Sequence, residues 1–293
     1  MADLMLRNLE LFFRDKTAVI LSLLAEVIIM MLYIIFMRDN LISSFTYMAD
    51  EGIIAEITDI WMMAGILGLT PLTAAMGAYG VMIEDRASMK LRDMDISPVR
   101  DVSLVGGYIM FAAITGIIMS MAVLLMSEIY MLCRHQSLIG RGNMPEIYIM
   151  LVIESICCGI MAMVPAMLLK TSNALAGFCT VLGALSGFLT GIYLPIGSVE
   201  DGVGMLVKAF PVSHGVVIFR RLLAEGKIYD AFSEEGVADE FMEYMGIIFT
   251  WKGHQLSYDD SIFFLIAFSA MCLSVIFLYR RWRQRFGKFR RPR

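Results

Sequence analysis

Six apolar runs set the terms on which this chain can fold: residues 18–37, 60–83, 104–128, 146–169, 174–195 and 261–279. A helix of about twenty residues, rising 1.5 Å each, crosses the ~30 Å hydrocarbon layer of a bilayer. Inside hydrocarbon every backbone N–H and C=O must find a partner within the segment, and a lone segment manages this only as a helix. Composition points the same way. The chain is 58% hydrophobic and 18% charged, whereas soluble domains carry about a quarter charged residues. A soluble core of 293 residues could not hide that much apolar surface. The expected fold is all-α: a polytopic membrane protein, 1–293 forming one transmembrane domain of six transmembrane helices.

Lysine and arginine give the orientation. With the N-terminus in the cytoplasm, the inner segments hold Arg7, Arg14 and Lys16, then Arg86, Lys90, Arg92 and Arg100, then Lys170, then the basic tail 280–293, "RRWRQRFGKFRRPR". The short outer loops hold only Arg38, Arg134 and Arg141. This asymmetry follows the positive-inside rule and predicts a multi-pass protein of the cell membrane with both termini cytoplasmic. The long segment 196–260 is acidic, which suits the outer side. No cleavable signal peptide is expected, because the first sixteen residues carry both charge signs and the apolar run after them is too long.

Two segments outside the runs are patterned. In "MADLMLRNLELFFRDK" the residues Asp3, Arg7, Glu10 and Arg14 share one helical face, with Asp3–Arg7 and Glu10–Arg14 as i,i+4 pairs, while Met5, Leu9, Phe12 and Phe13 form an apolar face. An amphipathic helix in the cytoplasmic interface is predicted. The loop "EDRASMKLRDMDISPVRD" (84–101) mixes both signs: Glu84, Asp85, Asp93, Asp95 and Asp101 offset Arg86, Lys90, Arg92 and Arg100. Basic anchoring explains the cations but not the acids, so a protein-docking surface is predicted, with Met89, Met94 and Ile96 as its apolar contacts. Ser97-Pro98 reads as a helix start.

Within the runs, Gly183, Gly187 and Gly191 stand four apart, a double GxxxG stripe suited to close helix packing or a dimer contact. The second run has a milder small-residue series at Ala64, Gly68, Ala74 and Ala78, and both helices are expected to be buried in protein. After Pro195 come two short apolar pieces, 203–210 and one opening near Ser213, separated by Pro211. Each is too short to cross, so they are expected to be re-entrant or interfacial. Glu26, with Ser22 and Tyr33 on its stripe, and Glu154, beside Ser155, lie near the middles of their runs. A carboxylate there costs on the order of 3 kcal/mol and must face protein or a cavity, which marks both for a substrate pathway or a structural hydrogen bond. Met62 and Met63 are further pathway candidates, since flexible thioethers accommodate varied apolar cargo.

No nucleotide-binding loop of the form GxxxxGK[ST], no HExxH and no GxSxG occurs. Three histidines (His135, His214, His254) and five cysteines lack metal-ligand spacing. No catalytic residue, metal or cofactor is expected on this chain. The basic tail suits anionic lipid rather than nucleic acid.

Taken in order, these pieces resemble the permease of the type-2 ABC exporter family. The residues that carry the likeness are "ISPVRDVSLVGGYI" (96–109) and "FLTGIYLPIGSV…FPVSHGVVIFRRLL". The resemblance implies two paired permease subunits, each docking a separate ATPase that holds ATP and Mg²⁺. It makes the 84–101 loop a coupling element and identifies Glu84, Asp85, Arg86, Met89, Lys90, Arg92 and Asp93 as its contacts. It implies export of a drug-like, amphiphilic, peptide, lipid or glycan substrate. A membrane anchor or sensor that binds an extracellular ligand without transport is the other reading.

Overall fold

A computed structural model describes residues 1–90, 101–138, 142–232, 235–251 and 253–287. The described residues are 84% helical. The described helices include six long and apolar enough to cross a membrane, as an all-α polytopic protein requires.

Helix α1 (Ala2–Arg14) ends at Asp15, whose carboxylate accepts the N–H groups of Thr17 and Ala18 at 3.0 and 3.1 Å and so caps α2. Helix α2 (Lys16–Phe45) loosens into a π-turn at Tyr33–Met37 before its last eight residues. Helix α3 (Glu51–Ala87) is 37 residues long, about 55 Å at the α-helical rise, and overruns the predicted run at both ends. Helices α4 (Asp101–Cys133), α5 (Met144–Leu168) and α6 (Ser172–Leu189) follow. Then come a single 3₁₀ turn at Ile196–Ser198, α7 (Asp201–Ala209), α8 (Pro211–Ala231), α9 (Glu235–Tyr244) and a hairpin of β1 (Thr250–Trp251) with β2 (His254–Gln255). Helix α10 (Tyr258–Gly287) carries the first part of the basic tail within its last turns.

Helix α3 is the axis of the bundle. Its residues 57–72 are all buried, and it packs on α4, α5 and α8. Gly68 makes the α3–α8 crossing possible: a Cβ there would lie 2.8 Å from the Val216 Cα. Tyr79 reaches across to donate to the Gly159 carbonyl at 2.6 Å. The small residues predicted on this helix, Ala64, Gly68, Ala74 and Ala78, are all buried.

The fifth run departs from expectation. Of α6 only Leu175, Ser186 and Gly187 are buried, so it lies on the outside of this chain rather than within it. The segment after it also differs. Instead of two short pieces there is a nine-residue helix and a 21-residue one, bent 85° to each other at Phe210–Pro211. Pro211 takes the first helical position, where its missing N–H costs nothing. Ser213, expected to open the helix, donates instead to the Leu189 carbonyl at 2.7 Å and ties α8 to the end of α6. The first ten residues of α8, 211–220, are buried. The described part of the acidic stretch is folded: Phe241 packs against Phe45, the last residue of α2, and Phe232, just past α8, forming a cap.

Candidate functional site

At the end of α3 away from the cap, consecutive charges face different ways. Asp85 is buried and accepts a two-pronged contact from Arg7 of α1, at 2.8 and 2.7 Å, plus the Tyr108 hydroxyl of α4 at 2.8 Å. Hydrogen bonding to Asp85 raises the Arg7 guanidinium above its ordinary pKa despite partial burial, so the pair stays ionised. The sequence paired Arg7 with Asp3; the structure pairs it with Asp85, while Asp3, Glu10 and Arg14 of the same face stay exposed. The seat for α1 is the Gly106-Gly107 pair of α4: a Cβ on Gly107 would meet Leu4 at 3.0 Å. Arg86 donates to the carbonyls of Met167 (3.2 Å) and Leu169, a cation at the C-terminal end of α5, where the helix dipole favours it.

Asp85 and Arg86 are therefore not free docking charges but internal ties from α3 to α1, α4 and α5. Glu84, Met89 and Lys90 are exposed. Helix α3 continues through Ala87, so 84–87 belong to the second long helix rather than to a loop. Met89 takes a left-handed φ of 64° just past the helix end. Arg92, Asp93 and the predicted Ser97-Pro98 helix start lie outside the described residues.

Glu26 and Glu154 both face protein. Glu26 of α2 accepts the Thr73 hydroxyl at 2.6 Å, and its second oxygen has no partner. Tyr33 does not join it. Glu154 of α5 has one weak donor, the Cys158 thiol at 3.5 Å, and Oε2 is unpartnered. Gly215 of α8 presses on this carboxyl; a Cβ there would stand 2.1 Å from Oε2. Met62 and Met63 are packed in the bundle core and line neither cavity described below.

The densest polar site was not predicted. Asp59, buried in α3, accepts from Tyr33 (2.9 Å), Arg38 Nε and Nη2 (2.9 and 3.0 Å), Tyr130 (3.1 Å) and Gln136 (2.8 Å). The π-turn Tyr33–Met37 shifts the register between Tyr33 and Arg38, and both side chains reach this one carboxylate. Arg38, counted above among outer-loop cations, is thus a buried ion pair. The available signal was an Asp and an Arg at the facing ends of consecutive apolar runs.

Near the cap, Arg220 is fully buried beneath Trp61, with its Cζ 4.4 Å from the ring centroid. It donates to the turn carbonyls of Gly191 (2.9 Å) and Gly246 (3.3 Å). Trp61 in turn donates to Met245 at 2.7 Å. These bonds fasten α8 to the end of α6 and to the cap. Gly191 has φ +64°, the left-handed geometry that ends α6, so the predicted glycine stripe stops at the helix end. Gly187 receives the Tyr193 ring of its own chain, and only Gly183 of the three has nothing within 4 Å.

Two cavities accompany these sites. One of about 180 Å³ lies at the Phe210–Pro211 bend, walled by Leu72, Met76, Met161 and Phe178. The other, about 520 Å³, lies in the cap between α7, α9 and the hairpin. Among the described residues no three His, Cys, Asp or Glu side chains are grouped to hold a metal ion. No family model, curated protein or solved structure matches this chain.

Proposed function

We propose that the chain is the membrane-spanning permease subunit of an ABC exporter of the type-2 class, driven by ATP and Mg²⁺ held on a separate ATPase. The observation that carries this reading is the end of α3. Glu84, Met89 and Lys90 are exposed there, while their neighbours Asp85 and Arg86 tie the same turn to α1, α4 and α5. A push on that end by a docked ATPase moves several helices together. Under this reading α1 is an interfacial helix, the bent α7–α8 pair is re-entrant, the protein sits in the cell membrane, and both termini are cytoplasmic. A second permease copy covers the outward face of α6. The cargo is a drug-like, amphiphilic, peptide, lipid or glycan molecule, and nucleic acid is not a partner.

The test is charge reversal at the two exposed charges, Glu84 and Lys90. Co-expressed with a candidate ATPase, Glu84→Lys and Lys90→Glu should lose complex formation and substrate-stimulated ATPase activity while the permease stays folded. Unchanged assembly and activity overturn the docking role. The cap cavity favours a second reading, a membrane anchor or sensor that binds an extracellular ligand. In liposomes, ATP-dependent substrate movement supports the exporter, and ligand binding without flux supports the sensor.

A further inference from the structure

We propose that the 520 Å³ cleft in the cap is a binding site for a small organic cation with an apolar or aromatic body. Its volume falls in the range of small-molecule sites, which are mainly apolar with a few placed polar groups. Glu240 and Glu243 stand three apart on α9, so they share a helical face, and both line the cleft. Neither carboxylate has a hydrogen-bond or ion-pair partner among the described residues, and two exposed carboxylates side by side repel each other. A cation between them relieves that repulsion.

Aromatic groups supply the second half of the recognition. Tyr244, 38% exposed, follows on α9, and Trp251, 41% exposed, stands on β1; both line the same cleft. An ammonium over the face of such rings is attracted by their quadrupole. Ile196, Val199, Met205 and Ile248 give the cleft an apolar side for the rest of the molecule. The buried Thr250 hydroxyl, also in the lining, has no partner.

One countercharge is present. Lys208 lines the cleft, but its ammonium donates to the Thr250 carbonyl at 2.8 Å. With two carboxylates against one ammonium, the lining keeps a negative balance. The helix adds to it, because α9 also holds Glu235 and Asp239 and no lysine or arginine. A like-charged field of this kind gathers cations and turns anions away. A metal ion finds only two of the ligands it needs here. This site stands whether or not the bundle transports.

The experiment titrates benzyltrimethylammonium into the full chain in nanodiscs by calorimetry, with benzenesulfonate as an anion of similar size. Saturable binding of the cation, absent for the sulfonate and weakened by salt, is expected. Glu240→Gln with Glu243→Gln should weaken binding about tenfold, the scale of removing two near-surface charges. Trp251→Ala should weaken it severalfold and Trp251→Phe should restore most of it, a rescue that loss of folding would not produce. The proposal is overturned if the cation does not bind at millimolar concentration, if the sulfonate binds equally, or if the carboxamide pair binds like the wild type.

Discussion

Replacing Asp59 by alanine tests how this bundle holds its polar interior. The carboxylate is fully buried, and Arg38, whose side chain is 10% exposed, is its ion-pair partner. Removing the acid leaves that guanidinium only the exposed Asp39 at 3.6 Å, against a loss of about 3–5 kcal/mol when one member of a buried pair is deleted. The donors of Tyr33, Tyr130 and Gln136 lose their acceptor too. Each such orphan adds about 1 kcal/mol or more unless water reaches it. Rearrangement recovers part of this, so about 4 kcal/mol is the expected loss for Asp59→Ala. Reversible unfolding in mixed dodecylmaltoside and dodecyl sulfate micelles measures it. Arg38→Met in the same chain removes the stranded charge and should recover about half the loss, since neighbouring substitutions in one network do not add. An Asp59→Ala cost below about 1 kcal/mol, or a double variant no better than the single, refutes a charge-driven network.

Other perturbations follow from the same contacts. Asp85→Ala should release α1, seen as faster labelling of a cysteine placed at Leu9, with a stability loss of about 1–3 kcal/mol from the orphaned Tyr108 and Arg7. Gly68→Ala forces a methyl to within 2.8 Å of the Val216 backbone and should cost about 1–3 kcal/mol in the same micelle unfolding assay. Glu154→Gln should leave stability within about 1 kcal/mol of wild type, because the side chain has a single thiol donor to lose. Gly215→Ala, which drives a methyl into that carboxyl, should destabilise more than Glu154→Gln does.

Some of this molecule is legible without coordinates. Length and uninterrupted hydrophobicity mark the six long helices, since a bilayer imposes one solution on the backbone. Glu26 and Glu154 were visible as carboxylates inside apolar runs, and both are indeed turned into protein. Asp59 was hidden because it stands one residue before an expected run, where a charge looks like part of a solvated loop. Its meaning depends on Tyr33, Arg38, Tyr130 and Gln136, which only folding brings together. Asp85 was visible but misjudged: in a mixed-charge stretch nothing local tells which side chain turns inward.

The sequence by itself determined the class of fold and the cores of the six long helices, because those follow from local hydrophobicity and the need to satisfy the backbone in lipid. It also marked the break at Phe210–Pro211, since proline acts on its own neighbours. Tertiary structure alone decided which charges are ties and which are available. It alone showed that α6 lies outside while α3 is the axis, and that an acidic segment folds into a cap with a cleft. Those outcomes depend on distance and burial between residues far apart in sequence: Arg7 with Asp85, Arg38 with Asp59, and Met205 with Glu243 across a cavity.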